Sequence, residues 1–101
     1  MKDFDKKINW LMKWTEEKHN CLTVLDTELV DDYIKTFNVK HEITMWGANK
    51  CRDLGHFLSL AHKKAYLSRG TINIEAREPG FPKWVYAYQM YDYYVGLHCE
   101  D

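Results

Sequence analysis

Apolar positions recur at helical spacing through the first two-thirds of the chain and alternate in the last third. Phe4, Ile8, Leu11, Met12 and Thr15 fall on one face, widened by Trp10 and Trp14, which predicts a helix over residues 3–19. Asp3 and Asp5 near its start and Lys18 and His19 near its end suit the helix dipole, and Asn20 stops it. A second helix is expected over 27–37, capped by Asp26 or Thr27 and ended by Asn38. Its stripe of Leu29, Val30, Tyr33, Ile34 and Phe37 opposes Asp31, Asp32 and Lys35. Val39–Met45 alternates and predicts a short strand, and Trp46-Gly47-Ala48 breaks the pattern.

A third helix is expected from about Lys50 to Ala65. Advancing about 100° per residue from Cys51, the apolar set Cys51, Leu54, Phe57, Leu58, Ala61 and Ala65 gathers on one side. Arg52, His56, Ser59 and Lys63 gather on another, with Asn49 close to the same line at the helix start; Leu60 falls outside the apolar arc. Thr71–Arg77 and Lys83–Met90 then alternate around Glu78-Pro79-Gly80-Phe81-Pro82, which reads as a hairpin. Trp84, Tyr86, Tyr88 and Met90 share one face of its second strand. The end, from Tyr91 to Asp101, is aromatic and then acidic and predicts no particular element.

Charge changes how the third helix reads. The net charge of the 101 residues is −1, so composition alone does not point to nucleic acid. Residues 21–45 carry two Lys/Arg against five Asp/Glu, whereas residues 46–69 carry Lys50, Arg52, Lys63, Lys64 and Arg69 against Asp53 alone. A basic segment in an otherwise acidic chain makes a local positive patch. Hydrophobic residues at 46% and charged residues at 29% indicate an ordinary globular domain, here a single one over 1–101. No apolar run is long enough to span a bilayer, and Cys21, Cys51 and Cys99 are too few and too scattered for a disulfide framework. A cytoplasmic location is therefore expected, with no membrane partner.

The order helix, strand, helix, two-stranded hairpin resembles the winged helix-turn-helix superfamily. Leu54 and Leu58 stand at its buried recognition-helix positions, Ala65-Tyr66-Leu67 at the entry to the wing, and Arg69 where a basic residue is common. The resemblance implies an α+β winged-helix domain (helix–helix–strand–helix–two-stranded wing) with its core over 27–90. Residues 1–26 would then be an N-terminal helix extension and 91–101 a tail. Met45–Cys51 and Gly80–Tyr86 are similar to segments of small uncharacterised bacteriophage and prophage proteins. A helix-turn-helix needs a helix just before the recognition helix. Either that helix has shrunk to one turn at 46–49, or the 27–37 helix serves across an inserted strand.

The chain carries no phosphate-cradling glycine loop, nucleophile elbow or Cys-x-x-Cys pair, so an enzyme, a metal or a cofactor is not expected. Cys51 lies on the apolar arc and His56 on the polar one, which separates the nearest metal-ligand candidates. The winged-helix resemblance implies double-stranded DNA as partner and transcription regulation as role. Arg52 suits guanine, Asn49 adenine, His56 and Ser59 further hydrogen bonds, and Lys63 or Lys64 phosphate, with Lys50 also among the expected DNA-binding residues and Arg77 and Lys83 added by the wing. Dimerisation is expected through Trp10 and Trp14 or the aromatic tail. The alternative expectation is a protein-interaction module, such as a phage-encoded modulator docking on a host protein. The acidic 21–45 segment and the aromatic last strand favour that alternative.

Overall fold

The computed structural model describes residues 1–44, 49–74 and 83–98, which form a compact α+β fold of three helices and two small antiparallel sheets. Helix α1 (Phe4–Glu17) turns Phe4, Ile8, Leu11, Met12 and Trp14 inward. It is not an appendage to a core over 27–90, because these side chains share one cluster with α2, α3 and the long hairpin. Among the described residues, five of the seventeen buried in this cluster come from α1, which supplies a third wall beside α2 and α3.

After α1 the chain is pinned to the last strand twice. The Asn20 side-chain amide donates to the Met90 carbonyl at 2.7 Å and accepts from the Met90 N–H at 2.8 Å, as a neighbouring strand would. Leu22 and Tyr88 then exchange two backbone hydrogen bonds of 2.8 Å. Asp26 caps α2 (Thr27–Phe37), accepting from the backbone N–H groups of Glu28 and Leu29. Asn38 ends α2 in the left-handed region at φ 51°, a conformation that asparagine tolerates better than most residues.

Between α2 and α3, within the described part (39–44) of the strand expected over 39–45, β1 covers Glu42–Ile43. It pairs antiparallel with β2 (Asn49–Lys50), Glu42 opposite Lys50 and Ile43 opposite Asn49. Ile43 is 74% exposed, so the alternation in this segment does not mark a core face. Asn49 and Lys50 belong to β2 and not to the third helix, because Cys51 interposes extended backbone (φ −126°, ψ 107°) with its buried thiol 3.6 Å from the Lys40 carbonyl. Helix α3 (Arg52–Lys63) buries Leu54, Phe57, Leu58 and Ala61. Its end is a Schellman arrangement: Tyr66 N–H reaches Ala61 O, Ala65 N–H reaches His62 O, and Ala65 sits at φ 66°.

Strand β3 (Leu67–Asn73) begins four residues earlier than the alternation predicts and pairs antiparallel with β4 (Trp84–Met90). Leu67 stands opposite Met90, Arg69 opposite Tyr88, Thr71 opposite Tyr86 and Asn73 opposite Trp84. These eight residues share one face of the hairpin. Leu67, Tyr88 and Met90 are buried at the base against the helices, while Trp84 and Tyr86 are exposed farther out. The expected turn at 78–82 lies outside the described residues. The segment after β4 folds back over α1: Gly96 N–H donates to Met12 O at 2.9 Å, and Tyr94 packs on Tyr66.

Candidate nucleic-acid interface

The outer face of α3 holds the stripe that spacing predicts. Arg52, His56 and Lys63 are exposed and Ser59 is partly so. At about 100° and 1.5 Å per residue, the four positions span an arc of about 60° and a length of about 16 Å. Among the described residues, the side chains of Arg52, Ser59 and Lys63 make no hydrogen bond or ion pair. Lys50, exposed on β2, extends the stripe past the start of the helix, and Lys83 is exposed at the foot of β4. Asn49 leaves the stripe, since its side-chain amide donates to Asp31 of α2 at 2.9 Å. Arg77 lies outside the described residues.

The acid that adjoins this stripe is turned to another task. Asp53, in the first turn of α3, takes a 2.7 Å ion pair from Lys7 of α1 and a short hydrogen bond from the Tyr33 hydroxyl of α2. The Lys7 side chain is only 7% exposed, and its ammonium also faces the rings of Tyr33 and Phe37 at 5.3 and 5.7 Å. Partial burial of the Asp53 carboxyl opposes ionisation. The hydrogen bonds from Lys7 and Tyr33 and the charges of Lys7 and His56 outweigh it and hold the group below the usual carboxylate range. Burial, reinforced by the Asp53 hydrogen bond and charge, pushes the Tyr33 hydroxyl well above its ordinary value, so it stays a neutral donor. The carboxylate beside Arg52 is thus neutralised from within, and the outer face of α3 is left cationic.

Lys7 and Tyr33 are partners of Asp53 that the spacing of charged residues does not single out. The signal for Lys7 was present: it falls on the apolar face of α1, three residues after Phe4 and four before Leu11, where a lysine requires a buried counter-charge. The expected dimer contacts through Trp10 and Trp14 are occupied internally. Trp14 is 4% exposed and donates its indole N–H to Asp32 at 2.8 Å, and Trp10 packs edge-on against Tyr33 and Phe37.

An open cleft of about 920 Å³ lies between the β1–β2 pair and the start of α3, lined among others by Lys40, His41, Glu42, Lys50, Arg52 and Asp53. Lys50 and Arg52 of the stripe thus also line the cleft, together with the carboxylates of Glu42 and Asp53. Among the described residues, no three of His, Cys, Asp and Glu converge as metal ligands, and no helix is long and apolar enough to cross a membrane. No protein-family model, curated protein or solved structure matches the chain.

Proposed function

We propose that this chain is a winged-helix domain that binds duplex DNA through α3, in the manner of a small transcriptional regulator. The order of elements supports the fold reading. In it, α1 is the first helix, Leu22 the short first strand paired to β4, α2 and α3 the two helices of the helix-turn-helix, and β3–β4 the wing. The β1–β2 pair is an insertion between α2 and α3. Direct packing of Tyr33 on Phe57, ring centroids 5.9 Å apart and nearly parallel, supports α2 as the helix that braces α3.

The observation that carries the DNA reading is the α3 stripe itself: Arg52, His56, Ser59 and Lys63 on one face, with the neighbouring carboxylate drawn inward by Lys7 and Tyr33. A helix of 12 residues presents its outer face to a major groove, where an arginine fork pairs with guanine and lysines meet phosphate. Lys50 and Lys83 then flank the groove as phosphate contacts. Fluorescence anisotropy with a mixed-sequence duplex at low salt tests this. Arg52→Ala and Lys63→Ala together weaken binding at least about tenfold, the sum of one base contact and one phosphate contact. Unchanged affinity in the double variant sinks the proposal.

A second reading, docking on another protein, is favoured by the segment after β4, where Tyr91, Tyr93 and Leu97 are 48%, 76% and 53% exposed. The same titration separates the two: a wild-type chain with no measurable duplex affinity at low salt overturns the duplex reading in favour of the protein one.

A further inference from the structure

The outer half of the β3–β4 hairpin carries a second constellation, built apart from α3. Register places Arg69, Thr71, Asn73, Trp84 and Tyr86 on one face. The Arg69 guanidinium carbon lies 4.3 Å from the centre of the Tyr86 ring, so the cation rests on that ring. It makes no hydrogen bond or ion pair among the described residues, and its N–H edge is free. Trp84 meets Tyr86 edge-on at 4.9 Å and 78°, which leaves the indole with an open face; it is 49% exposed. The described hairpin residues 67–74 and 83–90 include Arg69 and Lys83 as charged groups and contain no carboxylate.

We propose that this face binds single-stranded nucleic acid, with an unstacked base on Trp84 and an adjoining phosphate on Arg69. Two features choose this occupant. Among the described residues, the charge on this face is the Arg69 guanidinium with no carboxylate beside it, which complements a phosphate. The free apolar element there is a flat ring, and every base offers a π-face once it leaves the duplex stack. Tyr86 gives one ring face to Arg69 and is less exposed than Trp84, so Trp84 is the stacking ring and Arg69 the anchor for phosphate. The site stands independently of the duplex contact assigned to α3 and fails or survives separately.

The test uses the full chain with labelled oligo-dT and oligo-rU of about 15 nucleotides, long enough to fill one binding groove. Trp84→Ala lowers affinity for the better of the two at least about tenfold, within the range of one lost base stack. Trp84→Phe keeps part of it, and Arg69→Ala lowers it by a smaller factor. Tyr93→Ala, which removes an exposed ring elsewhere, changes nothing. Thermal melts identical to wild type certify that the variants are folded, as expected for exposed side chains. Tighter binding of dT assigns DNA and of rU assigns RNA; either supports the inference. Equal affinities for wild type and Trp84→Ala overturn it, and so does self-association abolished by Trp84→Ala, which would assign the face to a second copy. Arg52→Ala is read on the duplex alone, so failure there leaves this site untouched.

Discussion

At the scale of the residue, the ion pair between Lys7 and Asp53 decides most. It joins α1 to α3, takes Tyr33 of α2 as a third member, and pairs the acid that adjoins the α3 stripe. Taking away Asp53 strands a buried ammonium, whereas replacing Lys7 with a long apolar side chain removes the charge that needs a partner. Asp53→Ala is therefore expected to cost about 2 kcal/mol in urea unfolding, below a fully buried pair because the carboxylate side chain is 38% exposed, and Lys7→Met distinctly less. The pH dependence follows in sign. A carboxyl whose folded pKa lies below its ordinary 3.8 contributes stability that is present above about pH 4 and lost as pH falls through the folded value. Urea midpoints followed down into that acid range fall for the wild type, and the fall is shallower in Asp53→Asn. An equal fall in both assigns acid sensitivity to other carboxylates.

At the scale of the element, the helix ends show what local sequence can and cannot specify. Asp26 and Asn38 mark α2 because capping is local chemistry, and its bounds are legible from those two residues. The face of α3 is legible for the same reason: Arg52, His56, Ser59 and Lys63 obey a helical period with no outside information. Its end is less so. Ala65 occupies the left-handed position of a Schellman turn, where glycine is the usual residue, at φ 66°. Ala65→Gly is accordingly expected to stabilise the chain by about 1 kcal/mol, seen as a higher urea midpoint with unchanged slope. A lower midpoint would show that the Ala65 methyl contributes packing that exceeds the strain. The start of β3 was illegible because Leu67–Arg69 alternate only with respect to Met90–Tyr88 across the hairpin, a contact more than a dozen residues away. Leu22 was illegible for a sharper reason. A single bridge to Tyr88 has no period to read, and Asn20, taken for a helix stop, completes that edge with its side chain.

At the scale of the whole molecule, charge is sorted by surface and not by composition. Behind a net charge of −1, Lys50, Arg52, Lys63, Arg69 and Lys83 stand exposed on β2, α3 and the hairpin, with Glu42 opposite Lys50. Asp31 and Asp32 of α2 are engaged by Asn49 and Trp14. Linear segments foreshadowed this split, because residues 46–69 are basic and 21–45 acidic. The place of α1 was not foreshadowed. Its wide apolar face fits an addition as well as a core wall until Phe4, Ile8 and Leu11 are seen sharing a cluster with Phe57 and Leu58. Lys50, Arg52, Lys63 and Lys83 together give three or four phosphate-range cations, so duplex affinity should fall with a log–log salt slope of about −3. That slope, measured for the wild type and for the Arg52→Ala/Lys63→Ala double variant on one duplex, tests the central claim most directly. The account predicts a slope shallower by about 1 to 2 in the variant together with weaker binding at every salt concentration. Identical slopes and affinities in the two proteins would contradict it.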